Sequence, residues 1–136
     1  MHERYTLLIV DDSETNLMLL DAILKTYFQH RVLTAKNAQE ALKLIQITDI
    51  DIVLTDINMP LMNGYELAQK IKASLDTQHI HIFFVSSVHT TDADKRMMDE
   101  VGAIGYIEKP IRTSTLKMQL EDCFRMIASK KHLSEI

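Results

Sequence analysis

The sequence has little of several features that would point to particular classes of protein. It has one cysteine, Cys123, so no disulfide can form within the chain, and this content fits a reducing cytoplasm. No apolar run approaches the roughly 20 residues of a membrane span. The apolar stretch near the start is too short for the core of a signal peptide. We therefore expect a cytoplasmic protein with no membrane segment.

Glycine and proline are also scarce, with three and two residues. No Gly/Ser-rich linker, repeat or low-complexity segment divides the chain. Its 136 residues suffice for one domain with a core and are too few for two. A formal net charge of −4 argues against non-specific binding to nucleic acid. The sequence thus predicts one globular domain with no direct nucleic-acid partner.

Short apolar runs alternate with longer amphipathic segments along the whole chain. The apolar runs have the length and composition of buried strands and cover residues 5–10, 31–35, 51–55, 80–86 and 103–108. The segments between them have helical spacing and cover residues 13–28, 37–46, 64–74, 91–101 and 113–130. Five strands alternating with five helices predict an α/β doubly wound fold, with a parallel sheet, right-handed crossovers and helices on both faces.

Polar residues stand at the predicted carboxyl ends of four of the five strands. They are Asp11 and Asp12, Asp56, Ser86 with Ser87, and Lys109. Ligands of such sheets bind outside these strand ends, near the point where the strand order reverses. Each residue alone has an ordinary explanation, since Asp11 and Asp12 could cap the next helix and Asp56 could form a turn. Their convergence on one edge of the sheet predicts a functional site.

Three carboxylates at one site repel each other strongly. Two unit charges 4 Å apart cost about 4 kcal/mol at an effective dielectric constant near 20. Either one carboxyl group is protonated or a cation lies among them, and a few carboxylates completed by water are typical of Mg²⁺, with Mn²⁺ as a substitute. Beside such an ion, a carboxylate can attack phosphorus to give an aspartyl phosphate. Lys109 would neutralise charge during the transfer.

Four segments together resemble the receiver domain of response regulators in two-component signalling. They read LLIVDDSETNLMLL, DIVLTDINMPLMNGYEL, FFVSS and GAIGYIEKP, and the resemblance runs from Tyr5 to about Ile127. It implies the flavodoxin-like strand order 2-1-3-4-5. It also implies that Asp56 is the phosphoacceptor, that Asp11 and Asp12 bind Mg²⁺ with Asp12 the more direct ligand, and that the backbone carbonyl of Asn58 completes the protein ligands.

The same resemblance implies a set of residues that respond to phosphorylation. Ser86 matches the switch hydroxyl and Tyr106 the aromatic switch, although a count back from the last strand selects Ser87 instead of Ser86. Lys109 matches the lysine of the family's site, and the peptide bond between Lys109 and Pro110 matches the family's cis peptide bond. Two glycines match turn positions of the family. They are Gly64 and Gly102.

The resemblance further implies the partners and the limits of the domain. A sensor histidine kinase or a histidine phosphotransfer protein would supply the phosphoryl group, and the fourth helix, fifth strand and fifth helix would present the face that controls an output domain or protein target. Met118 is expected to be exposed on that face. We expect a receiver domain over residues 1–128 and a helix extension or linker start over residues 129–136. The sequence leaves the oligomeric state open.

Three other interpretations compete with this one. A flavodoxin-type cofactor binder shares the strand order, but the acids after the first strand would repel a phosphate without a metal. A haloacid-dehalogenase-like phosphatase needs a second acid two residues after its nucleophile, where Asn58 stands. We therefore expect the chain to accept a phosphoryl group on its own aspartate and to lose it slowly, without turnover of other substrates. A receiver that binds partners without phosphorylation stays the alternative, and the intact acids, hydroxyl and lysine oppose it.

Overall fold

The computed structural model describes residues 4–86 and 90–135, with side chains described as far as residue 130. Five parallel strands form one sheet. They are β1 (Thr6–Val10), β2 (Arg31–Ala35), β3 (Ile52–Asp56), β4 (His81–Ser86) and β5 (Gly105–Glu108). Their order across the sheet is β2-β1-β3-β4-β5, which confirms the predicted order. The order reverses next to β1, so the carboxyl ends of β1 and β3 flank the position where such sheets bind ligands.

Five helices connect the strands and cover both faces of the sheet. They are α1 (Glu14–Tyr27), α2 (Ala38–Ile47), α3 (Gly64–Ala73), α4 (Asp92–Glu100) and α5 (Thr113–Glu135). One core packs α1 and α5 against the sheet, and a second core packs α2, α3 and α4 against the opposite face. This arrangement confirms the predicted α/β doubly wound architecture. Among the described residues, no helix has both the length and the apolar content to cross a bilayer.

The strands at the centre of the sheet have apolar residues on both faces. Leu7 and Ile9 of β1 point into the α1–α5 core, whereas Leu8 and Val10 point into the α2–α4 core. All five residues of β3 are buried, including Asp56 at its carboxyl end. Strands covered on both faces need such nearly continuous apolar runs. The strand β3 is therefore buried along its whole length, up to and including its acid.

The start of β5 differs from the prediction, because the strand begins at Gly105 and not at residue 103. The two residues before Ile104 end α4 instead. The Gly102 N–H donates to the Asp99 carbonyl, and the Ala103 N–H donates to the Met98 carbonyl. Gly102 has a φ of 71°. These are the two hydrogen bonds and the left-handed residue of a Schellman motif, which glycine adopts at low cost. Ala103 therefore closes α4 and does not extend the strand.

Candidate functional site

The three predicted carboxylates lie together at the carboxyl edge of the sheet. Oxygen atoms from Asp11, Asp12 and Asp56 all lie within 4.8 Å of one another. Asp11 and Asp12 follow β1, and Asp56 ends β3, the strand that pairs with β1 in parallel. The parallel register brings the two strand ends side by side. The convergence predicted from the sequence is therefore present.

Asp11 is buried and already uses both of its carboxylate oxygens. Oδ1 accepts a hydrogen bond from the Ser13 backbone N–H at 2.8 Å, and Oδ2 accepts one from Lys109 Nζ at 3.0 Å. The N-cap of α1 is Ser13 and not Asp11 or Asp12, because the Ser13 side chain accepts a hydrogen bond from the Asn16 N–H. Asp12 is exposed. Its side chain has no hydrogen bond among the residues the structure describes, so its oxygens are free to bind a ligand.

Asp56 is a carboxylate held at the boundary between the core and the edge of the sheet. Its side chain is buried, and Oδ1 accepts a hydrogen bond from the Ile57 N–H at 2.9 Å. Burial raises the pKa of Asp56 above its usual range, and the neighbouring Asp11 adds to this effect. The Lys109 ammonium and the backbone N–H groups of Ile57 and Asn58 lower the pKa in opposition. The charge of Asp56 is thus only partly compensated by the protein.

Lys109 is the cation of this site. Its Nζ lies 3.0 Å from Asp11 Oδ2 and 3.7 Å from Asp56 Oδ2. The Lys109 N–H donates to the Ser86 carbonyl at 2.6 Å, and the peptide bond to Pro110 is cis, as predicted. One ammonium cannot balance three carboxylates, so the site retains negative charge. Carboxylate oxygens with excess negative charge suit a hard divalent cation such as Mg²⁺.

The loop from Asp56 to α3 is held against the backbone of the site. A Cβ atom on Gly64 would lie 2.3 Å from the Asp56 carbonyl oxygen and 3.0 Å from Ile57 Cα. Real Cβ atoms do not approach backbone atoms that closely, so only glycine fits without a shift of the loop. The Gly64 N–H also donates to the Ile57 carbonyl at 2.8 Å. Gly64 therefore permits the close approach that fixes this loop beside Asp56.

Leu61, at the tip of the same loop, is a feature that the sequence did not reveal. Its φ is 70°, and its side chain is 93% exposed. The Met62 N–H donates to the Pro60 carbonyl across it at 2.8 Å, which forms a tight three-residue turn. Leucine is uncommon at positive φ, where glycine and asparagine are favoured. Neither spacing nor hydropathy signals this turn.

The two predicted switch residues stand on neighbouring strands. Ser86 is 2% exposed and ends β4, and its register partner on β5 is Glu108. Tyr106 of β5 is half-buried and packs against the α2–α4 core. Asn58 is exposed in the loop after β3. Ser87, the alternative switch hydroxyl, lies outside the described residues.

The sequence and the fold of this chain are similar to those of known proteins. The family model described as a response regulator receiver domain matches residues 7–121. Protein PilH of Pseudomonas aeruginosa is 34% identical over 110 residues, which cover 81% of this chain and 89% of PilH. A solved structure of the chemotaxis protein CheY4 of Vibrio cholerae superposes with a TM-score of 0.81 at 28% identity, over 88% of this chain and 98% of that chain.

Another relative is much longer than this chain. A probable cyclic di-GMP phosphodiesterase of Vibrio cholerae is 36% identical over 115 residues, which cover 85% of this chain. The chain spans only 25% of that relative's length. The similarity therefore concerns only part of that relative.

Proposed function

The chain belongs to the response regulator receiver family, and we propose that it accepts a phosphoryl group on the carboxylate of Asp56. One observation carries the proposal. The buried Asp56 carboxylate has two further carboxylates within 4.8 Å and the Lys109 ammonium 3.7 Å from its Oδ2. This arrangement provides a nucleophile, oxygen ligands for a divalent cation and a fixed positive charge at one point.

In the proposed transfer, a carboxylate oxygen of Asp56 attacks the phosphorus of a phosphohistidine or an acyl phosphate. A P–O bond to Asp56 forms, the P–N or P–O bond of the donor breaks, and the donor leaves with the bonding electrons. Lys109 is placed to neutralise charge on the phosphoryl oxygens as they approach. A bound Mg²⁺ would supply the remaining positive charge. Its proposed ligands are the three carboxylates and the Asn58 backbone carbonyl.

The proposal includes a switch that carries the signal away from the site. The hydroxyl of Ser86 would be drawn to the phosphoryl oxygens, and Tyr106 would turn into the space vacated. Phosphorylation would then alter the face formed by α4, β5 and α5. Two features support the proposal that a partner binds this face. One is a surface groove between β5 and α5 that Tyr106 helps to line. The other is Met118 of α5, whose side chain is 58% exposed, as predicted.

The proposed partners follow from this chemistry. A sensor histidine kinase or a histidine phosphotransfer protein would donate the phosphoryl group, and an output domain or protein target would bind the α4–β5–α5 face. A cytoplasmic location is part of the proposal, and the single cysteine fits it. Phosphorylation-independent binding is not favoured, because the complete set of acids and the lysine would then have no chemical role.

The direct test is incubation with acetyl phosphate. With Mg²⁺ present, the chain should gain one phosphoryl group that is stable in acid and labile in base, as expected of an acyl phosphate. Intact-mass spectrometry measures the gain, and a chelator should prevent it. A folded chain that gains no phosphoryl group from acetyl phosphate in the presence of Mg²⁺ would contradict the proposal.

The two acids after β1 should contribute unequally to metal binding. Asp12→Asn should weaken Mg²⁺ affinity by about tenfold or more, since losing a ligand should cost at least as much as losing a supporting residue. Asp11→Asn should weaken it less, because both Asp11 oxygens already accept hydrogen bonds from Ser13 and Lys109. The chain has no tryptophan, so NMR titration of backbone amides is the suitable measurement. Asp76→Asn, at an exposed position, is the control. Equal effects of the Asp11 and Asp12 changes would refute this assignment.

A further inference from the structure

We propose that Tyr65 and Asp94 form a tie between α3 and α4 that holds the chain in its resting conformation and so sets how readily phosphorylation switches it. The inference rests on the proposed receiver function and adds two positioning residues to it. Neither residue lies among the carboxylates or the lysine of the site. The two residues are 29 positions apart and meet through a side-chain hydrogen bond, from Tyr65 Oη–H to Asp94 Oδ1 at 3.0 Å.

Tyr65 is held firmly on the α3 side of this bond. Its side chain is buried, and its ring meets that of Phe84 edge-on, with centroids 5.2 Å apart and an angle of 64° between the planes. Burial, together with the adjacent Asp94 carboxylate, raises the pKa of Tyr65 to about 12. The hydroxyl therefore keeps its proton near neutral pH and donates it to Asp94. Buried tyrosines usually find such a partner for the hydroxyl.

Asp94 uses its other oxygen to begin α4. Oδ2 accepts hydrogen bonds from the Thr91 N–H at 3.1 Å and from the Thr91 hydroxyl at 2.8 Å. The Asp94 N–H donates in return to Thr91 Oγ1 at 3.1 Å, which completes a capping box. The hydrogen bonds from Thr91 and Tyr65 lower the pKa of Asp94. One carboxylate thus defines where α4 starts and binds it to α3.

Both ends of the tie connect to the phosphorylation site through short paths. Tyr65 directly follows Gly64, the residue whose backbone is packed against the Asp56 carbonyl oxygen. Phe84, which supports the Tyr65 ring, stands two residues before Ser86 on β4. The α3 end is therefore fixed relative to Asp56, whereas the α4 end belongs to the face proposed to change. Any displacement of the start of α4 away from α3 must stretch or break the hydrogen bond.

The size of the effect follows from the strength of one hydrogen bond. A hydrogen bond to a partly exposed carboxylate stabilises the conformation that contains it by an amount equivalent to about a three- to tenfold change in population. If the bond exists only in the resting conformation, its loss raises the population of the active conformation by the same factor. A ligand that binds only the active conformation then binds more tightly by that factor.

The experiment compares the affinity of Mg²⁺–beryllofluoride, a phosphoryl mimic, for the wild-type chain and for Tyr65→Phe by NMR titration. The substitution keeps the ring against Phe84 and removes only the hydroxyl. We expect affinity about three- to tenfold higher than that of the wild type. Tyr27→Phe is the matched control, because Tyr27 is exposed on α1 and its ring contacts Lys117 instead of α4. It should bind the mimic as the wild type does.

A double-mutant cycle separates the tie from the helix cap. Asp94→Ala removes both, and adding Tyr65→Phe to it should raise the affinity no further, because the hydroxyl has no acceptor left. A Tyr65→Phe chain that is less stable to urea but binds the mimic with wild-type affinity would show a purely structural bond and overturn the inference. A wild-type chain that does not bind the mimic at all would instead overturn the proposed function.

Discussion

Asp56→Asn should abolish the uptake of a phosphoryl group from acetyl phosphate and leave the fold intact. The carboxamide has nearly the same volume as the carboxylate but no anionic oxygen with which to attack phosphorus. The variant should also be at least as stable to urea as the wild type without metal. Burial raises the pKa of Asp56, so the ionised group is held in the folded chain at a cost that asparagine avoids. Intact-mass spectrometry and urea unfolding measure the two effects.

The control for this substitution is another aspartate-to-asparagine change at the opposite end of the sheet. Asp49 is exposed in the segment before β3, so Asp49→Asn should take up one phosphoryl group as the wild type does. Equal uptake by Asp56→Asn and the wild type would mean that another residue is the phosphoacceptor. Amide NMR spectra show whether Asp56→Asn is folded, because a folded variant keeps the chemical-shift dispersion of the wild type. Loss of uptake in a folded variant would then be due to the missing carboxylate.

The architecture was predictable because two simple constraints act together. Apolar runs of strand length alternate with amphipathic segments, and parallel strands joined by helices place all their carboxyl ends on one edge. Acids after β1 and at the end of β3 and a lysine after β5 therefore had to face a common region, and the structure brings Asp11, Asp12, Asp56 and Lys109 together there.

Interactions between helices could not be predicted in the same way. The contact of Tyr65 with Asp94 joins α3 to α4, and neither local sequence shows a pattern that requires the other. The Asn63–Glu66 capping box of α3 was also missed, although its residue types and spacing are visible in the sequence. The first depends on the relative placement of two helices, whereas the second depends on four consecutive residues. Only the second was within reach of the sequence.

Two glycines show a further limit of reasoning from resemblance. The resemblance implies turn positions for both Gly64 and Gly102, but the structure gives them different physical roles. Gly102 adopts a positive φ that ends α4, with no atom near the position of an added Cβ. Gly64 lies so close to the Asp56 carbonyl oxygen that an added Cβ would collide with it. Gly102 is required by the backbone conformation, whereas Gly64 is required by close packing against the end of β3, the strand that precedes it.

Lys109→Met should make the stability of the chain depend on a divalent cation. Lys109 Nζ is the ammonium within 4.0 Å of both Asp11 and Asp56, and the side chains of these acids are only 2% and 6% exposed. Methionine keeps much of the side-chain volume and removes the charge. Breaking a buried ion pair by removing one partner costs roughly 3–5 kcal/mol. We expect a loss of about 2–4 kcal/mol in the free energy of unfolding without metal, because Lys109 itself is partly solvated.

Adding Mg²⁺ should restore part of this loss, since the ion supplies positive charge to the same carboxylates. Urea unfolding with a chelator and with saturating Mg²⁺ measures both quantities, and Mg²⁺ should stabilise Lys109→Met more than the wild type. Lys36→Met is the matched control, because Lys36 follows β2 at the same edge of the sheet and is exposed. It should unfold as the wild type does under both conditions.

The same substitution should also separate binding of the phosphoryl mimic from the response to it. Without the ammonium of Lys109, which directly follows β5, Mg²⁺–beryllofluoride at Asp56 loses its positive partner at the end of the strand that carries Tyr106. Amide shifts in α4, β5 and α5 should therefore be smaller in Lys109→Met at saturating mimic than in the wild type. Wild-type shifts in those three elements, with wild-type stability in the chelator, would show that Lys109 neither balances the acids nor couples them to that face. We expect smaller shifts and lower stability, because Lys109 Nζ lies 3.0 Å from Asp11 Oδ2 and so already links the ends of β1 and β5 in the resting chain.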